Sequence, residues 1–201
     1  MTKSFLQAAI LFAAAAAVAP AQATTLSSHN WKATATTASA SLGIQVGQTI
    51  NGTIVYDMDG LSKASSFGAD GNGYQYWDST TMYTTVDIGA SHYQFNVQAM
   101  IIDSFAMWGV KDNYIFRSNS TPLGRFDLTF TDPTGTAFTR LALPDSVNPS
   151  AFSQGTLNLG SVQVSNKASL LAASTVPEPS TLAVFGLGLA GLAAMRRRKQ
   201  K

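Results

Sequence analysis

The stretch Tyr93-Gln94-Phe95-Asn96-Val97-Gln98 indicates most directly how this 201-residue chain folds. Aromatic and branched side chains alternate there with amides, which is the period of two typical of a half-buried β-strand. Because successive side chains of a strand point to opposite faces, one face of this segment would meet a core and the other would meet water. The segment therefore predicts a sheet.

Segments of the same character lie on both sides of this stretch, with turn sequences between them. They are Asn51–Asp57, Met82–Ile88, Asn113–Phe116 and Phe126–Phe130, and the turns include Asp57-Met58-Asp59-Gly60 and Asp132-Pro133-Thr134-Gly135. Short strands separated by turns, without a long helical period, favour two packed antiparallel sheets. We predict a mainly β fold, an antiparallel β-sandwich or jelly-roll-like domain.

Two parts of this domain have weaker patterns. Ala33 to Ser41 contains only Ala, Thr and Ser, so residues 24–41 are predicted to form a loose arm or an edge strand, and residues 166–175 a spacer. Leu157 and Leu159 differ in parity from Val162 and Val164. A bulge at Gly160 would bring all four side chains to one face.

The charge of the chain is divided between its ends and its middle. Six of the thirteen basic residues lie in the end segments, and the middle carries seven lysines and arginines against ten aspartates, a net charge of −3. This acidic, weakly charged middle has no electrostatic surface for nucleic acid. The absence of cysteine excludes disulfides and thiolate metal sites.

The first segment has the order of a secretory signal. Lys3 precedes the apolar run Phe5 to Val18, and Ala21-Gln22-Ala23 follows as a small-x-small cleavage site. We predict a signal peptide over residues 1–23, a helix cleaved after Ala23, with Ala21 and Ala23 as the cleavage-site residues. Residues 24–175 would then be the exported β-domain.

The last segment has three parts in a fixed order. Val176-Pro177-Glu178-Pro179 cannot continue a helix or a sheet ladder, residues 182–195 are apolar, and Arg196, Arg197 and Arg198 begin a basic terminus. An apolar helix of that length spans about 21 Å, short of the roughly 30 Å hydrocarbon core, although snorkelling arginines bridge part of the gap. The arginines would stop transfer and stay cytoplasmic.

Together these parts make residues 176–201 similar to the PEP-CTERM sorting signal. The resemblance implies that an exosortase, a membrane-embedded transpeptidase-like enzyme, recognises Val176 to Pro179 and removes the tail. It also implies an exported protein of a Gram-negative bacterium that makes exopolysaccharide, anchored through the transmembrane helix 182–195 before it reaches the cell surface or matrix. The alternative is a tail anchor that is never cut.

Signals for catalysis and for metal binding are weak in the middle. His29 and His92 stand outside any catalytic motif, and we expect both at the surface or in caps, so no enzymatic activity and no cofactor are predicted. A candidate calcium site is formed by oxygen ligands in loops, namely Asp57, Asp59, Asp70 and Asp78. The same residue types also serve ordinary turns.

A cluster of aromatic residues offers one candidate binding site. Tyr74, Tyr76 and Trp77 would stack on sugar rings from a loop, or Tyr76 and Trp77 would plug one end of the sandwich. Three functions follow: a structural protein of the surface or matrix that contacts exopolysaccharide, a secreted carbohydrate-binding module, and an aspartate-dependent hydrolase, which would need a carboxylate pair.

Overall fold

The computed structural model describes residues 26–78, 81–105, 109, 111–144 and 146–173, without the side chains of residues 59, 172 and 173. All of these residues lie in the compact unit Thr25–Val176. The predicted signal helix and the predicted transmembrane helix 182–195 lie outside the described residues. Within the described part of the chain, no helix has the length and apolar character needed to cross a membrane.

Twelve strands lie within the described residues, and every adjacent pair in a sheet is antiparallel. They are β1 (Leu26–Thr34), β2 (Thr49–Asp57), β3 (Ser62–Ala69), β4 (Asn72–Asp78), β5 (Tyr83–Ile88), β6 (Ser91–Asn96), β7 (Gln98–Asp103), β8 (Asp112–Thr121), β9 (Gly124–Asp132), β10 (Gln154–Leu159), β11 (Val162–Ser165) and β12 (Ala168–Ala173). Short 3₁₀ turns lie at Ala40–Leu42, Met58–Gly60 and Pro149–Ala151.

The strands form two sheets. One has five strands in the order β12-β1-β2-β5-β6, and the other has seven in the order β11-β10-β9-β8-β7-β4-β3. Their inner faces share one core, in which the Trp31 and Phe126 ring centroids lie 6.2 Å apart across the two sheets. The prediction of a mainly β, antiparallel, two-sheet sandwich is thereby confirmed.

Alternation of apolar and polar side chains explains how β9 joins this core. Phe126, Leu128 and Phe130 are fully buried in the core, whereas Asp127, Thr129 and Thr131 point to the other face, where Asp127 is also buried and the two threonines are half-buried. One face of the seven-stranded sheet therefore covers the core, and the other faces away from it.

The Tyr93–Gln98 segment differs from the single strand that its pattern predicts. Strand β6 ends at Asn96, and β7 begins at Gln98 in the other sheet, so the chain crosses between the sheets at the buried Val97. Phe95 and Val97 both face the core, which shows that side-chain alternation continues through this corner. Periodicity alone does not show where a strand changes sheets.

The prediction of a loose arm or an edge strand for residues 24–41 is wrong for the described part of this range, residues 26–41. Strand β1 lies between β12 and β2, where it is paired on both sides and buries His29, Trp31 and Ala33. The Trp31 indole packs directly over Gly52 on β2, so closely that a Cβ at Gly52 would overlap it. The buried Trp31 therefore fixes β1 in the sheet, although the Ala, Thr and Ser residues that follow show only a weak strand pattern.

Two predictions near the end of the domain are also wrong. The spacer expected at residues 166–175 contains β12, which pairs with β1 and buries Leu170. Gly160 is not a bulge but part of the turn joining β10 to β11, with a φ of 61° that suits glycine. The register shift lies instead within β11, opposite Leu157 and Asn158.

Candidate functional site

The aromatic residues Tyr74, Tyr76 and Trp77 lie on β4 rather than in the predicted loop. Alternation places Tyr74 and Tyr76 on the outer face of the seven-stranded sheet, and Trp77 on the inner face against the main core. On that side, the Lys63 ammonium lies 5.5 Å from the Trp77 ring centroid. The predicted three-ring stacking surface is therefore divided between two faces.

Tyr74 and Tyr76 instead belong to a separate cluster, which we call the outer aromatic cluster. It consists of Phe67, Tyr74, Tyr76 and Phe105 over the nearly buried side chains of Met100, Ile102 and Ile115. The Tyr74 ring centroid lies 6.0 Å from that of Phe67 and 5.8 Å from that of Tyr76. Phe67 is 56% exposed, so this cluster presents an aromatic side chain to solvent.

Sequence reasoning missed Phe67, because all eight residues of β3 are exposed and show no burial period. Phe67 is placed by its cross-strand partner Tyr74, and a register shift between Lys63 and Ser65 precedes it. The aromatic character of Phe67 was the available signal, but its pairing was not visible in the sequence.

A row of polar side chains runs beside the outer aromatic cluster on the same sheet. Register aligns Gln98, Arg117, Asp127 and Asn158 on four adjacent strands. The Arg117 guanidinium reaches the Tyr76 hydroxyl at 3.5 Å and an Asp127 carboxylate oxygen at 3.4 Å. Arg117 therefore contacts both Tyr76 of the outer aromatic cluster and Asp127 of the polar row.

Two clefts border this polar row. The larger, about 410 Å³, lies where β4 ends and β7 begins, and seven of its eight lining residues are polar or charged, Asp78, Gln98 and Arg117 among them. The smaller, about 300 Å³, is lined by Arg125, Asp127 and Asn158 with the turn at Gly160. Each cleft contains one aspartate, so neither supplies the carboxylate pair that an aspartate-dependent hydrolase needs.

The aspartates of the predicted calcium site are not brought together. Asp70 and Asp78 flank opposite ends of β4, and Asp57 ends β2 in the other sheet, while the Asp59 side chain is not described. Asp70 accepts a hydrogen bond from the Leu141 amide at 2.7 Å, and Asp78 accepts one from Gln98 at 3.3 Å. Among the residues that the structure describes, no group of three acidic or histidine side chains is arranged to hold a metal ion.

Three other aspartates, Asp103, Asp112 and Asp132, are buried near the Asp70 end of this sheet and organise its loops. Asp132 accepts hydrogen bonds from the amides of Thr134, Thr136 and Ala137, and with the Thr134 hydroxyl these bonds lower its pKa to about 2 against the opposing effect of burial. Burial raises the pKa of Asp103, helped by the charges of Asp112 and Asp70 and opposed by the Gly71 amide. Each of the three carboxylates accepts hydrogen bonds from backbone amides of neighbouring loops, and these bonds hold the loops in place.

The two histidines differ completely in environment. His92 is exposed and its Nδ1 lies 2.6 Å from Asp87, in agreement with the expected surface position. The same expectation is wrong for His29, which is fully buried, with Nε2 2.8 Å from the Tyr56 hydroxyl. Burial also lowers the His29 pKa to about 4, so this imidazole is neutral and inaccessible to a substrate.

Comparison with known proteins identifies one feature of this chain. Residues 175–199 match the family model described as the PEP-CTERM protein-sorting motif. No curated protein and no solved structure matches the chain. The match covers Val176 to Pro179 and Arg196 to Arg198, which lie beyond the described residues, as do Ala21 and Ala23.

Proposed function

We propose that this PEP-CTERM protein is a non-enzymatic structural component of the cell surface or extracellular matrix, and that an exosortase cuts its tail. The sorting motif at residues 175–199 carries this proposal, because it implies export, a membrane-anchored intermediate and delivery to the surface. The β-sandwich supports it too, since packed antiparallel sheets bury a core and need no cofactor to fold.

The sorting part is tested by intact mass and cell fractionation of the native protein in its host. Loss of Met1–Ala23 and of the residues beyond the Pro-Glu-Pro sequence is expected in the exported form. A Pro177→Ala/Pro179→Ala double variant should keep its C-terminus in the membrane fraction, because it loses the extended segment that the protease is proposed to read. The matched control, Ser180→Ala/Thr181→Ala, should be processed normally.

An intact C-terminus on the wild-type protein in the membrane fraction would contradict processing and favour the permanent anchor. The structural role has its own measurement. Deletion of the gene should alter the mechanical strength or composition of the isolated matrix, and an unchanged matrix would contradict that role.

A second candidate function is carbohydrate binding by the exported domain. The outer aromatic cluster favours it, because Tyr and Phe offer apolar surface to sugar rings and the Tyr hydroxyl adds a polar contact. This function is compatible with the first, since a structural protein of an exopolysaccharide matrix must contact polysaccharide. Binding of the exported protein to a glycan array tests it.

A further inference from the structure

We propose that Tyr76 and the 410 Å³ cleft beside it form a binding site for a pyranose segment of a neutral polysaccharide. This inference rests on the second candidate function and gives it a location and a ligand class. It differs from the surface that the sequence suggests, because Trp77 is on the opposite face and takes no part.

The chemistry of the cleft suits hydroxyl groups. Its volume lies within the range of about 300–1,000 Å³ typical of ligand sites. Asp78 supplies acceptors, Arg117 supplies donors, and the amides of Asn96, Gln98 and Asn119 supply both. A pyranose ring carries neighbouring hydroxyls that each donate and accept, which this mixture of groups can satisfy.

The position of Tyr76 provides the apolar half of the site. Tyr76 and Asp78 are two residues apart on one strand, so they share a face about 7 Å apart. A polysaccharide chain with one sugar bound in the cleft would extend over the Tyr76 ring and then toward the exposed Phe67. The C–H face of a sugar packs on such rings, whereas its hydroxyl edge needs the polar groups of the cleft.

Arg117 is held in place before any ligand arrives. Its side chain is 27% exposed, and its terminal nitrogens contact Tyr76 and Asp127. Its Nε is buried without a hydrogen-bond partner in the described part of the chain. Positioned donors of this kind lose little entropy on binding, which favours affinity.

The balance of charge indicates a neutral ligand. The residues that line the cleft include one positive side chain, Arg117, and one negative side chain, Asp78. These opposite charges leave no excess positive charge to attract an acidic polymer.

The test uses the exported protein purified from its host, with dextran, galactomannan and cello-oligosaccharides as neutral probes and alginate as the acidic probe. Tyr76→Ala and Gln98→Ala should each weaken binding to the preferred neutral glycan about tenfold, the change expected when one good contact is lost. Tyr93→Ala is the matched control, because Tyr93 is a half-buried tyrosine of the other sheet that pairs with Val86 and does not line the cleft, and it should bind normally. Because Gln98 is exposed, Gln98→Ala should remain folded, so weaker binding by this variant would reflect a lost contact and not unfolding. Thermal melting checks that both variants are folded.

Neutral-glycan binding that both variants retain would overturn this site and leave the carbohydrate-binding function intact. Binding to alginate alone would overturn the ligand class. Binding to none of the glycans would overturn both the site and the second candidate function, but not exosortase processing, which is measured by mass.

Discussion

His29 shows how a single titratable side chain is accommodated in an apolar core. The Tyr56 hydroxyl donates a hydrogen bond to the Pro144 carbonyl at 2.6 Å, and lies 2.8 Å from His29 Nε2 and 3.1 Å from the Tyr114 hydroxyl. His29 Nε2 therefore donates to the Tyr56 oxygen. Nδ1 is buried without a partner among the described residues, so a proton added there would meet no acceptor.

This arrangement predicts that the free energy of unfolding decreases as the pH falls from about 6.5 to 4. Burial lowers the folded-state pKa of His29 to about 4, below the value of about 6.5 for a histidine in the unfolded chain. Above pH 6.5 both states are neutral, whereas between the two pKa values only the unfolded state binds the proton. The decrease attributable to His29 should reach about 3 kcal/mol. Urea unfolding at a series of pH values measures it.

The comparison variant is His29→Gln, which cannot titrate but keeps a side-chain amide donor. The difference in pH dependence between wild type and His29→Gln isolates the histidine from the aspartates, which also titrate at low pH. Equal pH dependence in wild type and His29→Gln would contradict the prediction.

Among the elements, β12 is the one whose importance the sequence concealed. It closes one edge of the five-stranded sheet, and Leu170 lies opposite Trp31, with only 4% of its surface exposed. Replacement of Leu170 by alanine should destabilise the protein by about 2–3 kcal/mol, because it leaves a cavity in the core. Denaturant unfolding of the purified protein provides the measurement.

The neighbouring Leu171 is the matched control for this prediction. It has the same chemistry but points to the other face and is partly exposed. Leu171→Ala should cost less than about 1 kcal/mol, since less apolar surface loses its burial. If the two variants were equally stable, β12 would not be packed on the core, and the spacer prediction would regain support.

At the scale of the whole molecule, charge is separated along the chain. The full sequence has a pI of about 8.9, yet the middle carries a net charge of −3. Removal of both ends should therefore convert a basic precursor into an acidic product. Isoelectric focusing of membrane and released fractions should show this shift, and Pro177→Ala/Pro179→Ala should retain the basic form. A released form that focuses at basic pH would contradict it.

Local patterns predicted the strands with strong alternation well and those without it poorly. Phe126, Leu128 and Phe130 mark β9 because their burial alternates with polar residues. Strand β3 is exposed throughout and β12 consists mainly of small residues, so neither has a local signal of this kind. For the candidate site, Tyr74 and Tyr76 were named, but Phe67, Gln98 and Arg117 were not.

The sequence by itself determined the β character of the domain, the distribution of charge and the sorting motif at residues 175–199, because each depends on residues close together in the chain. Only the tertiary structure decided that Trp77 faces the core, that His29 is buried, and that Arg117 lies beside Tyr76. The physical reason is strand pairing. A one-residue change of register reverses every side chain of a strand, and pairing joins residues as distant as Tyr76 and Arg117.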